Sequence, residues 1–182
     1  MRGVGSVPVD IRALEESDGA AFWALRLEGH EVDPRAFKAS AAEHRQTTPA
    51  DFISALRPCP GGDFTLGAFL EGELVGIAGL RRETLSQRAH QAGVWGVYVK
   101  ETARGRSVGR RLLEALIARA HGCPGLEQLA LTVSESQHAA CALYLSLGFT
   151  SWGLEPRSLK VAGEYVAEHH LVLRLTGGTQ RL

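Results

Sequence analysis

Apolar positions along the chain recur at two different spacings, and each change of spacing marks an element. Val7, Val9, Ile11 and Ala13 alternate with other residues, as in a half-buried strand, and Glu15, Glu16, Ser17 and Asp18 behind them read as a helix cap. A first helix is predicted from about Gly19 to Gly29. Pro34 and Pro49 each stand where a helix can begin, because proline's missing N–H is no loss in a first turn, so the stretch to Arg57 reads as two more short helices. The tract from Pro58 to Asp63 breaks the pattern and reads as a loop, too short for a domain linker. Phe64 to Leu70 and Leu74 to Leu80 are apolar runs joined by Glu71-Gly72-Glu73, which predicts a β-hairpin, and Ala89 to Val99 extends it as a meander. Then the period lengthens. Val108, Leu112, Leu113, Leu116, Ile117 and Ala120 recur at helical spacing, with Arg110, Arg111, Glu114 and Arg119 on the other face. Leu126 to Val133 reads as a strand, Gln137 to Leu147 as a helix closed by Gly148, and Phe149 opens two last strands turning near Ala162-Gly163. The expected fold is α/β, a mixed and mostly antiparallel twisted sheet of about seven strands with helices on both faces, as one domain over residues 1–182.

Composition narrows the classes of function. A chain of 182 residues, 45% hydrophobic, can bury about two-thirds of the surface its unfolded form exposes, so it needs no staple. Cys59, Cys123 and Cys141 are odd in number and lack paired spacing, which argues against a disulfide framework or zinc ribbon and for a reducing cytoplasm. Twenty basic and twenty acidic residues cancel without forming long runs of one sign, leaving no field to hold nucleic acid or an anionic membrane. No apolar run has the length of a signal peptide or membrane span, so a soluble, unprocessed protein is expected.

Candidate chemistry begins at Arg104-Gly105-Arg106-Ser107-Val108-Gly109, between a strand and a helix. A turn of small residues there can aim several amide N–H groups outward, and unpaired donors at a helix N-terminus attract an anion. Arg104, Arg106 and Arg110 add cations around the rim, which suits pyrophosphate. The order Gly-x-x-x-x-Gly-Lys-Ser/Thr of nucleoside triphosphate loops is absent, as is Gly-x-Gly-x-x-Gly. A glycine-containing loop with surface arginines is the plainer alternative.

Val97-Tyr98-Val99 followed by Arg104 to Gly109 resembles the acetyl-CoA loop of the GNAT superfamily. Ala140-Cys141-Ala142-Leu143-Tyr144 with Leu147-Gly148-Phe149, some forty residues on, resembles its second motif. Two motifs in this order are more specific than either alone. The resemblance implies an acetyl-CoA-dependent N-acetyltransferase, acting by direct transfer to a primary amine of a small molecule. It implies that the Val97 and Val99 backbone, with Tyr98, Arg104, Gly105, Arg106, Ser107, Val108, Gly109, Arg110 and Gln137, binds the donor. The Val97 amide would polarise the thioester, and Tyr144 would protonate the departing thiolate. Ser107 and Gln137 depart from the usual glycine and asparagine; the Ser107 hydroxyl could cap the helix or donate to phosphate. The strand where many members carry a catalytic glutamate has none, which leaves His90, Glu135 or a water chain as base. The acceptor is expected between the first helix and the last hairpin, near Trp23, Arg26, Glu28, Arg157, Tyr165 and Glu168. Adjacent His169 and His170 point to opposite faces of a strand, and no metal site is expected. An acyl-CoA-binding sensor without turnover, acetylation of a protein amine, and a homodimer all stay open.

Overall fold

The computed structural model describes residues 8–56 and 62–175, except for the side chains of residues 54 and 55. Val7 and most of the Pro58–Asp63 loop, including Cys59, lie outside the described residues. Among the described residues seven strands form one sheet in the order β1-β2-β3-β4-β5-β7-β6. They are β1 (Asp10–Ala13), β2 (Phe64–Leu70), β3 (Glu73–Arg82), β4 (Gln91–Val99), β5 (Gln128–Ser134), β6 (Thr150–Val161) and β7 (Glu164–Arg174). All neighbours are antiparallel except β4 and β5, which are parallel. The expected mixed, mostly antiparallel sheet is therefore the one formed. The β2–β3 turn places Glu71 at φ 51° and Gly72 at φ 85°, the left-handed pair that a two-residue hairpin turn needs.

Among the described residues five α-helices cover the two faces: α1 (Gly19–Val32), α2 (Ala41–Arg45), α3 (Pro49–Leu56), α4 (Val108–His121) and α5 (His138–Ser146). On one face Leu112, Leu113 and Leu116 of α4, with Tyr144 of α5 and Phe149, pack on Val75, Ala78 and Leu80 of β3. Each such leucine contributes roughly 1.5–3 kcal/mol by leaving water. On the other face Phe22 and Leu25 of α1 pack with Phe37, Phe69, Ile77 and Tyr98. Because helices lie on both sides, β2 and β3 are buried on both faces, which is why they read as continuous apolar runs.

Two local expectations are corrected. Pro34 opens a single 3₁₀ turn, Pro34–Ala36, and not a helix. The helix starts only after Ser40, whose side chain accepts from the Glu43 amide while Glu43 reaches back to the Ser40 N–H. The first helix runs to Val32, three residues past Gly29. Gly29 ends no helix; it makes room, since a Cβ there would meet Phe37 at 2.9 Å and Tyr98 at 3.1 Å.

Candidate active site

Strands β4 and β5 pair only at Gln91–Gln128, Ala92–Leu129 and Gly93–Ala130. Past Gly93 they part, because β5 stays bound to β7 along its whole length while β4 follows β3. The register of β3 with β4 shifts between Ile77 and Gly79, and Gly96 sits at φ 63° within the bulge. An extra residue in one strand bends it, and glycine at positive φ makes the bend cheap. The β5-facing edge of β4 from Val94 to Val99 is thus left without a strand partner, open to an extended ligand. The side chains of Val97 and Val99 pack toward α4, and those of Trp95 and Tyr98 toward α1.

The loop from Arg104 to Val108 joins the open end of β4 to α4. Gly105 has φ 75° and Ser107 φ 58°, so the chain twice takes the left-handed region within three residues. Arg104 N donates to Glu101 O, and the next loop or cap amide with a backbone acceptor is Arg111 N, which donates to Ser107 O at 3.0 Å. The amides of residues 105–110 between them are available to an anion, and the α4 dipole adds to their pull. A Cβ on Gly105 would meet nothing within 4 Å, so this position faces open space. The Ser107 hydroxyl makes no cap hydrogen bond to α4.

The three arginines of the rim differ. The Arg104 Nε donates to Val99 O at 3.1 Å, and its head lies 5.7 Å from the Tyr98 ring centre. Arg110 bridges α4 to α5 through Ser146 Oγ at 2.7 Å and pairs with Glu114 at 3.6 Å. Arg106 is exposed at the tip of the loop. Gln137 precedes α5 and donates from Nε2 to Asp33 Oδ1 at 2.6 Å, tying α5 to the end of α1.

Tyr144 is buried, 7% exposed, with its ring edge-on to Phe149 at 5.8 Å. Its hydroxyl has no hydrogen-bond partner among the described residues, yet it is not one of the sealed polar atoms. Burial pushes the phenol well above the ordinary tyrosine range, so it stays protonated at neutral pH. Cys141, on the same helix, is a half-buried free thiol.

On the α1 face, the Tyr98 hydroxyl donates to Glu28 Oε1 at 3.1 Å, and burial with the nearby Glu28 charge pushes its phenol up to about 12. Glu28 also lies 3.8 Å from Lys100. Trp23 turns to α2, donating from Nε1 to Thr47 Oγ1 at 3.1 Å and stacking on His44 at 5.2 Å. Arg157 lies over the Tyr165 ring at 3.9 Å in the outer part of the β6–β7 hairpin, where Tyr165 is 51% exposed. Arg26 lies against the β4 bulge, with Nη1 2.6 Å from where a Gly96 Cβ would stand. His90 stands where β4 begins to pair with β5, away from the parting, and Glu135 is exposed beyond β5.

Sequence reasoning passed over two features. One is the bulge at Gly96, which a lone glycine inside an apolar strand signals. The other is the burial of Glu168, 5% exposed and accepting from Ser158 Oγ at 2.7 Å, for which the sequence carries no signal. Two surface concavities, of about 330 and 480 Å³, lie by Arg12 and between His30 and Leu159; neither is lined by the 104–110 loop or by Val94–Val99.

A parted parallel pair, a bulged strand and an amide-lined loop opening a helix define an acyl-CoA-type transferase fold. Residues 26–149 match the family model for the acetyltransferase (GNAT) family, and the chain belongs to that family. The acyltransferase class and the acetyl-CoA donor expected from the sequence agree with this membership. Among curated proteins the chain is similar to the N-alpha-acetyltransferase RimI of Mycobacterium tuberculosis, 38% identical over 102 residues covering 54% of this chain. It is also similar to the mycothiol acetyltransferase of Salinispora tropica, 34% identical over 124 residues covering 66% of this chain. It spans 59% and 40% of the lengths of these two relatives. The fold matches a GNAT-family acetyltransferase from Streptococcus pneumoniae at a TM-score of 0.83 and 23% identity, over 92% of this chain and 99% of that one. It matches yncA from Salmonella typhimurium, solved with its cofactor acetyl-CoA, at 0.83 and 20% identity, over 96% and 98%.

Proposed function

We propose that the chain transfers the acetyl group of acetyl-CoA directly to the primary amine of a small molecule, without an acyl-enzyme. The observation that carries this reading is the parting of β4 from β5 immediately beside the loop of unpaired amides at residues 105–110. These amides, with Arg106 on the rim, fit a pyrophosphate, and the open edge of β4 fits an extended amide-bearing arm. Gln137 contributes by holding α5 against the end of α1.

Acetyl-CoA supplies an acyl carbon activated as a thioester. The Val97 amide polarises its carbonyl oxygen, which makes the carbon electrophilic. The amine nitrogen attacks that carbon, a C–N bond forms, and the C–S bond breaks. The Tyr144 hydroxyl gives its proton to the leaving sulfur, and the surplus proton on nitrogen passes to water in the open cleft, from which Tyr144 is reprotonated. Cys141 is given no covalent part: it is a half-buried free thiol on α5 and makes no side-chain hydrogen bond among the described residues. Free Cys123 and Cys141 suit a reducing cytoplasm.

Acetylation of a protein N-terminus is the second reading, favoured by the identity to RimI. Calorimetric titration with acetyl-CoA, followed by thiol release against small amines and N-terminal peptides, separates the two. Micromolar donor binding with turnover of small amines is expected. Turnover of peptides alone would move the reading to protein amines, and binding without turnover would leave a sensor. Tyr144→Phe should lower kcat by about 100-fold, the usual scale of general-acid loss, with the donor Kd unchanged.

A further inference from the structure

Three buried donors next to the open strand have nothing to donate to: Arg26 Nε, Arg26 Nη1 and Trp95 Nε1. The Arg26 head is enclosed by three rings, with Trp95 centred 5.3 Å away, Phe52 5.7 Å and Phe22 5.8 Å. Aromatic faces attract a cation but accept no ordinary hydrogen bond, so roughly 0.5–2 kcal/mol per ring does not replace lost water. A second arginine, Arg81 on β3, stands 5.4 Å from the same Trp95 ring. His30 and His44 also belong to this lobe, and both are made more acidic, by burial first and by the Arg26 charge as a lesser cause. No carboxylate contributes to the titration of Arg26, which burial first and the Arg81 charge second lower to about 10. Glu28 is taken by Tyr98 and Lys100, and Glu43 by Ser40.

Among the described residues the cluster therefore has donors and positive charge, and no acceptor. Its position gives this meaning. The Arg26 head lies against Gly96, one residue before Val97, on the α1 face of the cleft. Arg26 Nη2 is not among the sealed atoms, and Arg81 is exposed, so the cluster opens outward at one side.

We propose that the acceptor is a small primary amine bearing a carboxylate, and that Arg26, through its open Nη2, binds that carboxylate with Arg81 beside the thioester site. This rests on the acetyl-transfer reading and names its substrate class. A carboxylate at Arg26 Nη2 would supply the counter-charge that the cluster lacks and set its amine near the Gly96 bulge, as in an α- or β-amino acid. An amide offers an acceptor oxygen but no charge and sets its own N–H donors against the guanidinium, and a simple alkylamine offers no acceptor, so both leave the buried cation uncompensated.

The test compares amino acids with their amides as acceptors for wild type and Arg26→Met. Free amino acids should be consumed with kcat/KM at least about 100-fold above their amides. Arg26→Met should erase that preference through KM for the acid, with the acetyl-CoA Kd unchanged. Equal turnover of acids and amides by wild type overturns the carboxylate site and leaves acetyl transfer standing. If acetyl-CoA does not bind, the transfer reading is what falls, and thermal shift with millimolar amino acid or its amide decides the site alone. Stabilisation of wild type by the acid only, lost in Arg26→Met, is expected; no shift with any acid overturns it. The variant also reads the unpaired charge directly. Arg26→Met should raise the urea midpoint of the ligand-free protein, since an apolar chain of similar volume replaces an uncompensated cation. A lowered midpoint would mean that Arg26 serves the fold.

Discussion

Ser107 holds a left-handed conformation, φ 58°, that costs a side-chain-bearing residue about 1–2 kcal/mol and costs glycine almost nothing. Its hydroxyl offsets none of this within the protein, because it caps nothing. Ser107→Gly should therefore tighten acetyl-CoA binding about threefold or more in calorimetry, by easing the loop into its amide-out shape. Ser107→Val, β-branched at the same angle, should lower both stability and affinity. An unchanged Kd in both would mean that the loop geometry does not limit donor binding. Burial raises the pKa of Tyr144, which makes the phenol a weaker acid than free tyrosine and keeps its proton in place at neutral pH, so the neutral phenol is the folded form. The linkage has a definite sign. A raised pKa contributes stability in full below the unfolded value near 10, and that contribution is lost as pH climbs above it. Urea midpoints measured from pH 7 to 11 should fall above pH 10 in wild type and fall less in Tyr144→Phe. Tyr98, also raised, keeps the remainder.

The lobe of α1, α2 and α3 carries an opposite dependence on pH. His30 is buried among Phe37, at 4.4 Å, and His44, at 5.0 Å. Burial, then the Arg26 charge, then His44 lower its pKa to about 4, while a contact with the Ala39 backbone works against them without reaching hydrogen-bond geometry. A lowered pKa contributes stability above the unfolded value of about 6.5, lost as pH falls toward 4. Protection factors in α1 and α2, corrected for the intrinsic exchange rate at each pH, should fall over that window, and His30→Leu should remove most of the effect. These elements were readable in the sequence wherever one period ran for two turns or more, as in α4 and the β2–β3 hairpin. Reading failed where tertiary contact decided the outcome. Nothing local at Gly29 says that α1 continues to Val32, because the room that glycine makes is for Phe37 and Tyr98 from elsewhere. The donor loop was visible because its glycine, serine and arginines are contiguous. The Arg26, Arg81 and Trp95 cluster was not, since it gathers α1, β3 and β4 from across the chain.

At the scale of the molecule, β1 to β4 with α1 to α4 make one part, and β5, α5, β6 and β7 make the other. Within the sheet the two meet through only three residue pairs of β4 and β5 before the strands part. Gln137 to Asp33 and Arg110 to Ser146 fasten the second part to the first outside the sheet. A donor lying in the cleft completes this join, so its binding should stiffen both parts together. At 100 times its Kd, acetyl-CoA should stabilise the fold by about 2.7 kcal/mol. For a domain of this size that corresponds to a rise in Tm of roughly 5–10 °C. A short acetyl thioester without the pyrophosphate separates the contributions of loop and cleft. If the amides at 105–110 hold phosphate, the short thioester should need millimolar concentrations to give the same shift, and its binding should lose little affinity in 0.5 M salt while acetyl-CoA loses much. Exchange protection should rise along Val94–Val99 and in β5 with either ligand, but around residues 105–110 only with the full donor. Equal potency of the two thioesters would remove the loop from donor binding and leave the parted strands as the whole of the site.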